Sequence, residues 1–503
     1  MGVGDYTLAD MVAAGARSFG DRPWLITEEG RLTHRDCLDR MERAARRLAG
    51  AGLARGDRIA LLAQNRTEHL DLLFAAARLG AILVEVNWRL SADEIAHVLA
   101  DTTPRVVIAE PAYAETLAAL RENLAVETWW SLDEAADGMP GWADAAEAAL
   151  PETRPEADDG VLVIHTAAVA GKARGAVLSH RNLVAAGVQH AAAWSLTPSD
   201  VGLILLPLFH ISGLGQALAV QAAGGASVLM RRFDPEEACA AIARERATLF
   251  FEFAPMLGQI LDRKEVGGHD LSSLRVVWGL DSPETIARFE SACPQAQFHV
   301  GYGQSETAGL VTLGAARERP GSAGRPMALS AVSIVDEEDR PVPSGEVGEI
   351  AVRGPVVFRG YWNLPEDTAY TFRGGWHHTG DMGRFDQDGF LVYAGRSPAK
   401  ELIKSGGENV YPAEVEAAIR AHPAIAEVAV IGVPDPQWHE AVKAICVLRP
   451  DASAEAAEII AFVGERLARY KRPKQVEFVP EMPRAASGAI DRAAIKARHG
   501  TPG

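Results

Sequence analysis

ArgIleAlaLeuLeuAla (58–63), HisLeuAspLeuLeuPheAlaAlaAlaArgLeu (69–79) and AlaIleLeuValGluVal (81–86) follow one another in close succession. The outer two are short apolar runs, the pattern of strands covered on both faces, and the middle one is an Ala-rich stretch that reads as a helix. A strand, a helix and a second strand in this order argue for a βαβ unit and a parallel sheet. The alternation extends outward. AspGluIleAlaHisValLeu (93–99) reads as a helix, ArgValValIleAla (105–109) and GlyValLeuValIleHis (160–165) read as strands, and the theme continues to about residue 300.

Beyond that point the text changes. Residues 323–357 are β-rich with frequent turns, which predicts a small sheet or barrel. The acidic, Pro-punctuated stretch 127–160 reads as a surface excursion. After Arg396 a compact tail begins with its own pattern, strands at 427–433 and 443–448 and helices at 413–420 and 458–467. The sequence therefore predicts an α/β protein with a large N-terminal region of βαβ-type sheets, a small β-barrel-like subdomain, and a small mobile α+β C-terminal domain. The expected division is 1–396 and 397–503, because a chain of 503 residues exceeds what one core organises.

Fifty Lys plus Arg against 67 Asp plus Glu give a net charge of -17, which disfavours nucleic acid and anionic lipid as partners. Cys37, Cys239, Cys293 and Cys446 form no CxxC pair, so reduced, cytoplasmic conditions are expected rather than a disulfide scaffold or a zinc cluster. The first residues lack the pattern of a secretory signal. The uncharged stretch 202–230 is long enough to span a bilayer, but Pro207, His210, Gln216, Gln221 and its glycines point to a buried core, so no membrane span is expected.

Three segments carry chemistry. GlyTyrGlyGlnSerGluThr (301–307) combines glycines that admit a ligand close to the backbone, hydroxyls that donate to phosphate, and Glu306, an acid able to hold a hard cation such as Mg²⁺. TrpHisHisThrGlyAsp (376–381) sets Asp381 after a glycine in an expected turn, where it can accept both hydroxyls of a ribose. LysSerGlyGlyGluAsnValTyrProAlaGluValGlu (404–416) reads as a GlyGly turn followed by a helix entry.

Taken in order, these segments resemble the adenylate-forming superfamily of acyl-CoA synthetases, carboxylic acid adenylation domains and luciferases. Further matching pieces are the stretch 165–180, LeuProLeuPheHis (206–210), GlyTyrTrpAsnLeuProGluAspThr (360–368), GlyArg (395–396) and SerGlyAlaIleAspArg (487–492), so the resemblance spans essentially the whole chain. It implies an ATP-dependent carboxylic acid:CoA ligase that works through an acyl-adenylate, with ATP, Mg²⁺ and coenzyme A as cofactors and a small-molecule carboxylic acid as partner. A homodimer is left open.

Carried over residue by residue, the resemblance makes Glu306 the Mg²⁺-associated acid and Thr307 a phosphate or carboxylate contact within the loop that includes Gly303, Gln304 and Ser305. Tyr302 would stack near the adenine, Asp381 would hold the ribose, and Arg396 would reach ribose or phosphate. Lys400 aligns with the hinge, and His210 with the aromatic gate for the acyl group. Gly406 and Gly407 align with the glycines beside the pantetheine tunnel. Trp438 and Glu440 occupy a TrpGlyGlu segment in which His439 replaces glycine.

Three departures qualify this. The phosphate loop lacks most of its hydroxyls, leaving Thr166, backbone amides, Lys172 and Arg174 to cradle pyrophosphate. SerProAla lengthens the link between Arg396 and Lys400. Ala489 stands where the family carries its catalytic lysine, although Ser487, Gly488, Ile490 and Arg492 are in register. An alanine there reads as a deliberate Lys→Ala replacement, as natural decay to a nucleotide- or acyl-CoA-binding pseudoenzyme, or as a site where Lys172 or Arg174 supplies the charge. The intact surroundings favour the first. An enzyme loading a carrier protein is a further alternative. Phe209, His210, Phe251, Phe253, Trp278, Gly279 and Leu280 are the expected walls of an acid pocket without arginine, suited to apolar short-chain, medium-chain or aryl monocarboxylates.

Overall fold

The computed structural model describes residues 4–152, 154–166, 173–396, 402–405, 408–435, 438–484 and 490–500. The opening motif folds as read: strand Arg58–Leu62, helix Glu68–Leu79 and strand Ile82–Val86, with the two strands parallel and Ile59 opposite Leu83. Along Arg58–Leu62, Ile59 and Leu61 enter one apolar cluster while Ala60 and Leu62 enter another. A strand apolar on both faces must be covered on both, and helices do this here.

Among the described residues this strand lies within a seven-stranded sheet ordered Gly360–Tyr361, Arg174–Ser179, Gly160–Thr166, Ile82–Val86, Arg58–Leu62, Val106–Ala109, Thr128–Ser131. A nine-stranded sheet runs Arg325–Pro326, Gly309–Ala315, Gln297–Gln304, Val276–Leu280, Leu249–Phe253, Val201–Ile204, Ala226–Leu229, Pro23–Thr27, Gly30–Thr33. One shared cluster holds Leu61 and Leu83 of the first sheet, Leu25 and Ile204 of the second, and Leu72, Leu183 and Leu214 from helices Glu68–Leu79, His180–Ala193 and Ile211–Ala223. Those helices are thus a middle layer between the sheets. On the outer face of the nine-stranded sheet Phe250 and Val277 pack with Ala238, Leu257 and Phe289 of three further helices.

The β-rich stretch takes the small-sheet form: an open four-stranded antiparallel order of Ala331–Val335, Gly348–Arg353, His377–Phe385 and Leu391–Arg396. The excursion 127–160 contributes an edge strand, Thr128–Ser131, to the seven-stranded sheet. Stretch 202–230 divides among two strands and the helix Ile211–Ala223, and among the described residues no helix is long and apolar enough to cross a membrane. The tail forms its own sheet, Glu408–Val410, Ile403–Ser405, His439–Leu448 and Ile425–Asp435, with Gln475–Phe478 also paired to His439–Leu448.

Inside the layered region one polar pair is fully enclosed. His69 and Glu85 both have 0% side-chain exposure, and His69 Nδ1 lies 2.8 Å from Glu85 Oε2 while its Nε2 lies 3.1 Å from the Gln64 carbonyl. A carbonyl only accepts, so Nε2 carries a proton and Nδ1 serves the carboxyl group. Glu85→Ala strands the imidazole and should lower stability by roughly 3–5 kcal/mol in denaturant unfolding, while His69→Leu with Glu85→Leu should recover most of that loss. A double variant no more stable than the single one would contradict the pairing.

Candidate active site

The loop 301–307 is shaped by close backbone approach. Strand Gln297–Gln304 pairs antiparallel with Gly309–Ala315, and the register shifts between Tyr302 and Gly303. A side chain at Gly303 would run into the Gly309 carbonyl, so only glycine fits. Thr307 is fully buried, and its hydroxyl lies 2.7 Å from Gly309 O and accepts the Gln304 N–H at 2.8 Å. Expected as a ligand contact, Thr307 therefore turns its hydroxyl into its own loop and fixes the turn that presents Glu306.

Glu306 is held from two other strands. Thr166 Oγ1 donates to Glu306 Oε1 at 3.0 Å, and the Tyr361 hydroxyl donates to the same oxygen at 3.1 Å. Among the described residues both side-chain hydrogen bonds go to Oε1, which leaves Oε2 for a hard cation. One carboxylate oxygen suits Mg²⁺, which keeps waters and takes its other ligands from phosphates. The Arg174 guanidinium stacks 4.1 Å over the Tyr361 ring, and its Nη1 donates to Asp367 at 2.9 Å, so a fixed cation flanks the same carboxylate.

Asp381 lies in strand His377–Phe385, not in the expected turn; the preceding Gly380, at φ 72°, supplies the local bend within the strand. Only 2% exposed, Asp381 accepts at Oδ2 from the Tyr302 hydroxyl (2.7 Å) and from Gln304 Nε2 (2.6 Å). His377 Nε2 lies 3.3 Å from Gln304 Oε1, which turns the amide nitrogen toward the carboxylate. Arg396 Nε sits 2.9 Å from Oδ1, and Arg396 Nη1 donates to the Tyr411 hydroxyl at 2.9 Å. Burial and the adjacent Asp381 push the Tyr302 phenol well above its ordinary range, so it stays a donor.

The tail faces this site through the hairpin of Ile403–Ser405 and Glu408–Val410. Glu408 is buried beside Arg89, with which it forms an ion pair, and His210 Nε2 lies 3.4 Å from its Oε2. Burial alone would raise the Glu408 carboxyl, but His210 and Arg89 outweigh it and bring it down to about 2. A second contact joins Lys471 of the tail to Glu94 of helix Ala92–Thr102 and, at 2.7 Å, to Glu414.

The structure thus gathers Thr166, Arg174 and Glu306 about Tyr361, and Tyr302, Gln304 and Arg396 about Asp381, the two groups joined by the loop 301–307, with His210 at the contact with the tail. The Trp438 ring lies 5.0 Å from Lys474 Nζ. Lys172, Lys400, Gly406, Gly407 and Ala489 lie outside the described residues. Tyr361, Tyr393, Tyr411, Glu408 and Arg89 were not singled out from the sequence. Tyr361, Tyr411 and Glu408 sit inside matched segments, where their own chemistry was the available signal; Arg89 offered none. Of the expected acid-pocket walls, Phe251 and Trp278 stack at 3.3 Å and are buried with Phe209, whereas Leu280 is 52% exposed.

Comparison with known proteins shows the family to which the chain belongs. Residues 12–362 match the family described as AMP-binding enzyme, and residues 414–489 match the AMP-binding enzyme C-terminal domain. A feruloyl-CoA synthase from Amycolatopsis sp. is 38% identical over 475 residues, 93% of this chain and 94% of that protein. An indoleacetate–CoA ligase of Aromatoleum aromaticum is 36% identical, covering 91% of each chain. The structure of an o-succinylbenzoate CoA synthetase from Bacillus subtilis, a double mutant bound with its product analogue OSB-NCoA, is 29% identical with a TM-score of 0.87 and covers 97% of both chains.

Tyr361→Phe removes one of the two donors that orient Glu306. The Mg²⁺ concentration that half-saturates ATP binding should rise about tenfold, as expected for a hydrogen bond to a charged group, with ATP binding in saturating Mg²⁺ recovered. An unchanged Mg²⁺ dependence would show that Thr166 alone suffices.

Proposed function

The chain belongs to the AMP-binding enzyme family and is an AMP-forming acid:CoA ligase that uses ATP, Mg²⁺ and coenzyme A; from this premise we propose its acid, the roles of its residues, and the half-reaction that position 489 impairs. The observation that carries the reading is the pairing of two differently prepared carboxylates, Glu306 anchored through one oxygen and Asp381 set among hydroxyl, amide and guanidinium donors.

In this reading an acid carboxylate attacks the α-phosphate of ATP, giving acyl-adenylate and pyrophosphate, and the CoA thiol then displaces AMP to give the thioester. Asp381 seats the ribose and Tyr302 borders the adenine. Arg396 reaches ribose or phosphate, while Thr166, Arg174 and the undescribed Lys172 serve the pyrophosphate side. Glu306 Oε2 would hold Mg²⁺, whose chemistry is to neutralise charge on the phosphates. His210 is the gate to the acid pocket.

A hinge near Lys400 would turn residues 397–503 against 1–396. Two observations support placing the tail as it sits for thioester formation: its 403–410 hairpin meets Arg89 and His210 through Glu408, and the whole chain is similar to a ligase structure holding a product analogue. Position 489 carries no cation. Attack of one anion on another needs positive charge where charge develops, so adenylation is the step that suffers and thiolation is spared.

The acid we propose is an apolar monocarboxylate, short-chain, medium-chain or aryl. The Phe251–Trp278 stack at 3.3 Å shortens the space for a chain, and Arg89, 5.9 Å over the Phe209 ring, is already paired with Glu408 and so does not serve a second carboxylate. The names of the feruloyl-CoA synthase and indoleacetate–CoA ligase relatives support the aryl choice.

Ala489→Lys should raise pyrophosphate release about a hundred- to a thousandfold, while thioester formation from supplied acyl-adenylate changes little. Equal pyrophosphate release by the two proteins would overturn the assigned role of position 489. With the lysine-bearing variant, a panel of acids should favour aryl or short apolar acids; exclusive use of malonate would refute the pocket argument.

A further inference from the structure

The four-stranded sheet delivers to Asp381 a side chain that no sequence motif indicated. Tyr393, in strand Leu391–Arg396, places its hydroxyl 3.3 Å from Asp381 Oδ1, and its ring stacks at 6.2 Å on Tyr302. A carboxylate offers about four acceptor directions, two on each oxygen. Oδ2 is filled by Tyr302 at 2.7 Å and Gln304 at 2.6 Å, both from strand Gln297–Gln304. Oδ1 faces Tyr393 and the Arg396 guanidinium.

A ribose diol brings two O–H donors to this carboxylate, whose directions are already taken, so resident donors must give way and the weakest-held yields first. Tyr302 is 8% exposed and pinned in the strand, and the Gln304 amide is held by His377 and donates also to Thr379 O at 3.1 Å. Arg396 keeps its charge and can serve ribose and Asp381 together. Tyr393 makes the longest of the hydrogen bonds, and the residue is 44% exposed, so its hydroxyl can exchange Asp381 for water by a side-chain rotation.

We propose that Tyr393 is a positioning residue that competes with the ribose for Asp381 Oδ1, lowering nucleotide affinity and so easing release of AMP after thiolation. The proposal rests on the reading that Asp381 seats the ribose. Apparent affinity falls in proportion to the fraction of molecules whose site is already open, so the competition is visible as a change in Kd.

The test is calorimetric titration of the full chain and of Tyr393→Phe with AMP and with 2′,3′-dideoxyadenosine monophosphate. Phenylalanine keeps the ring and removes only the competing hydroxyl. AMP should bind the variant about two- to tenfold more tightly, the range expected for loss of one such hydrogen bond, while the dideoxy nucleotide should bind both proteins equally. Unchanged or weaker AMP binding by the variant overturns the proposal, as does equal tightening for both nucleotides, which would assign the effect to ring packing. If the unsubstituted chain itself binds AMP and the dideoxy nucleotide alike, Asp381 is not the ribose seat and the proposal falls with that premise; discrimination by the unsubstituted chain without a change in Tyr393→Phe sinks the competition alone.

Discussion

A strand that is apolar on both faces cannot be left half covered, and most of this molecule follows from that constraint. Ile59 and Leu61 need partners on one side of their sheet, Ala60 and Leu62 on the other. Helices satisfy both needs, and one helical layer is shared by two sheets. Thr166 and Tyr361, at strand ends of the seven-stranded sheet, and Glu306, in the turn after a strand of the nine-stranded sheet, are then fixed relative to one another. Glu306 gains its two hydrogen-bond donors because the ends of Gly160–Thr166 and Gly360–Tyr361 reach the turn after Gln297–Gln304.

The second carboxylate depends on a different support. Asp381 belongs to the four-stranded sheet, yet its shortest hydrogen bonds come from Tyr302 and Gln304 of the nine-stranded one. The site is therefore a junction, and its geometry holds only while both sheets keep their registers. A bulge in each pairing, beside Gly303 and beside Gly383, aims the side chains that meet there.

Much of this was legible in the sequence because it is periodic or local. Strands and helices of the opening unit, the tail elements and the loop around Glu306 all appear within a few residues of where the pattern sets them. What escaped was contact across sheets. A glycine before Asp381 suggested a turn, yet hydrogen bonding to two neighbouring strands keeps the segment extended. The Thr307 hydroxyl serves its own turn, a short-range contact that residue type alone does not reveal. Tyr393, Tyr361 and Arg89 acquire meaning only from partners 12, 55 and 319 positions away.

Glu94 illustrates how such distant contacts tie parts of the molecule together. Its carboxylate caps its own helix through Ser91 N at 2.8 Å, accepts the Ala468 N–H at 3.1 Å and pairs with Lys471. If the tail turns as proposed, the last two contacts are exchanged for water and counterions while the cap is kept. The balance between tail positions then responds to ionic strength, since salt screens a newly solvated charge more than one packed in the interface.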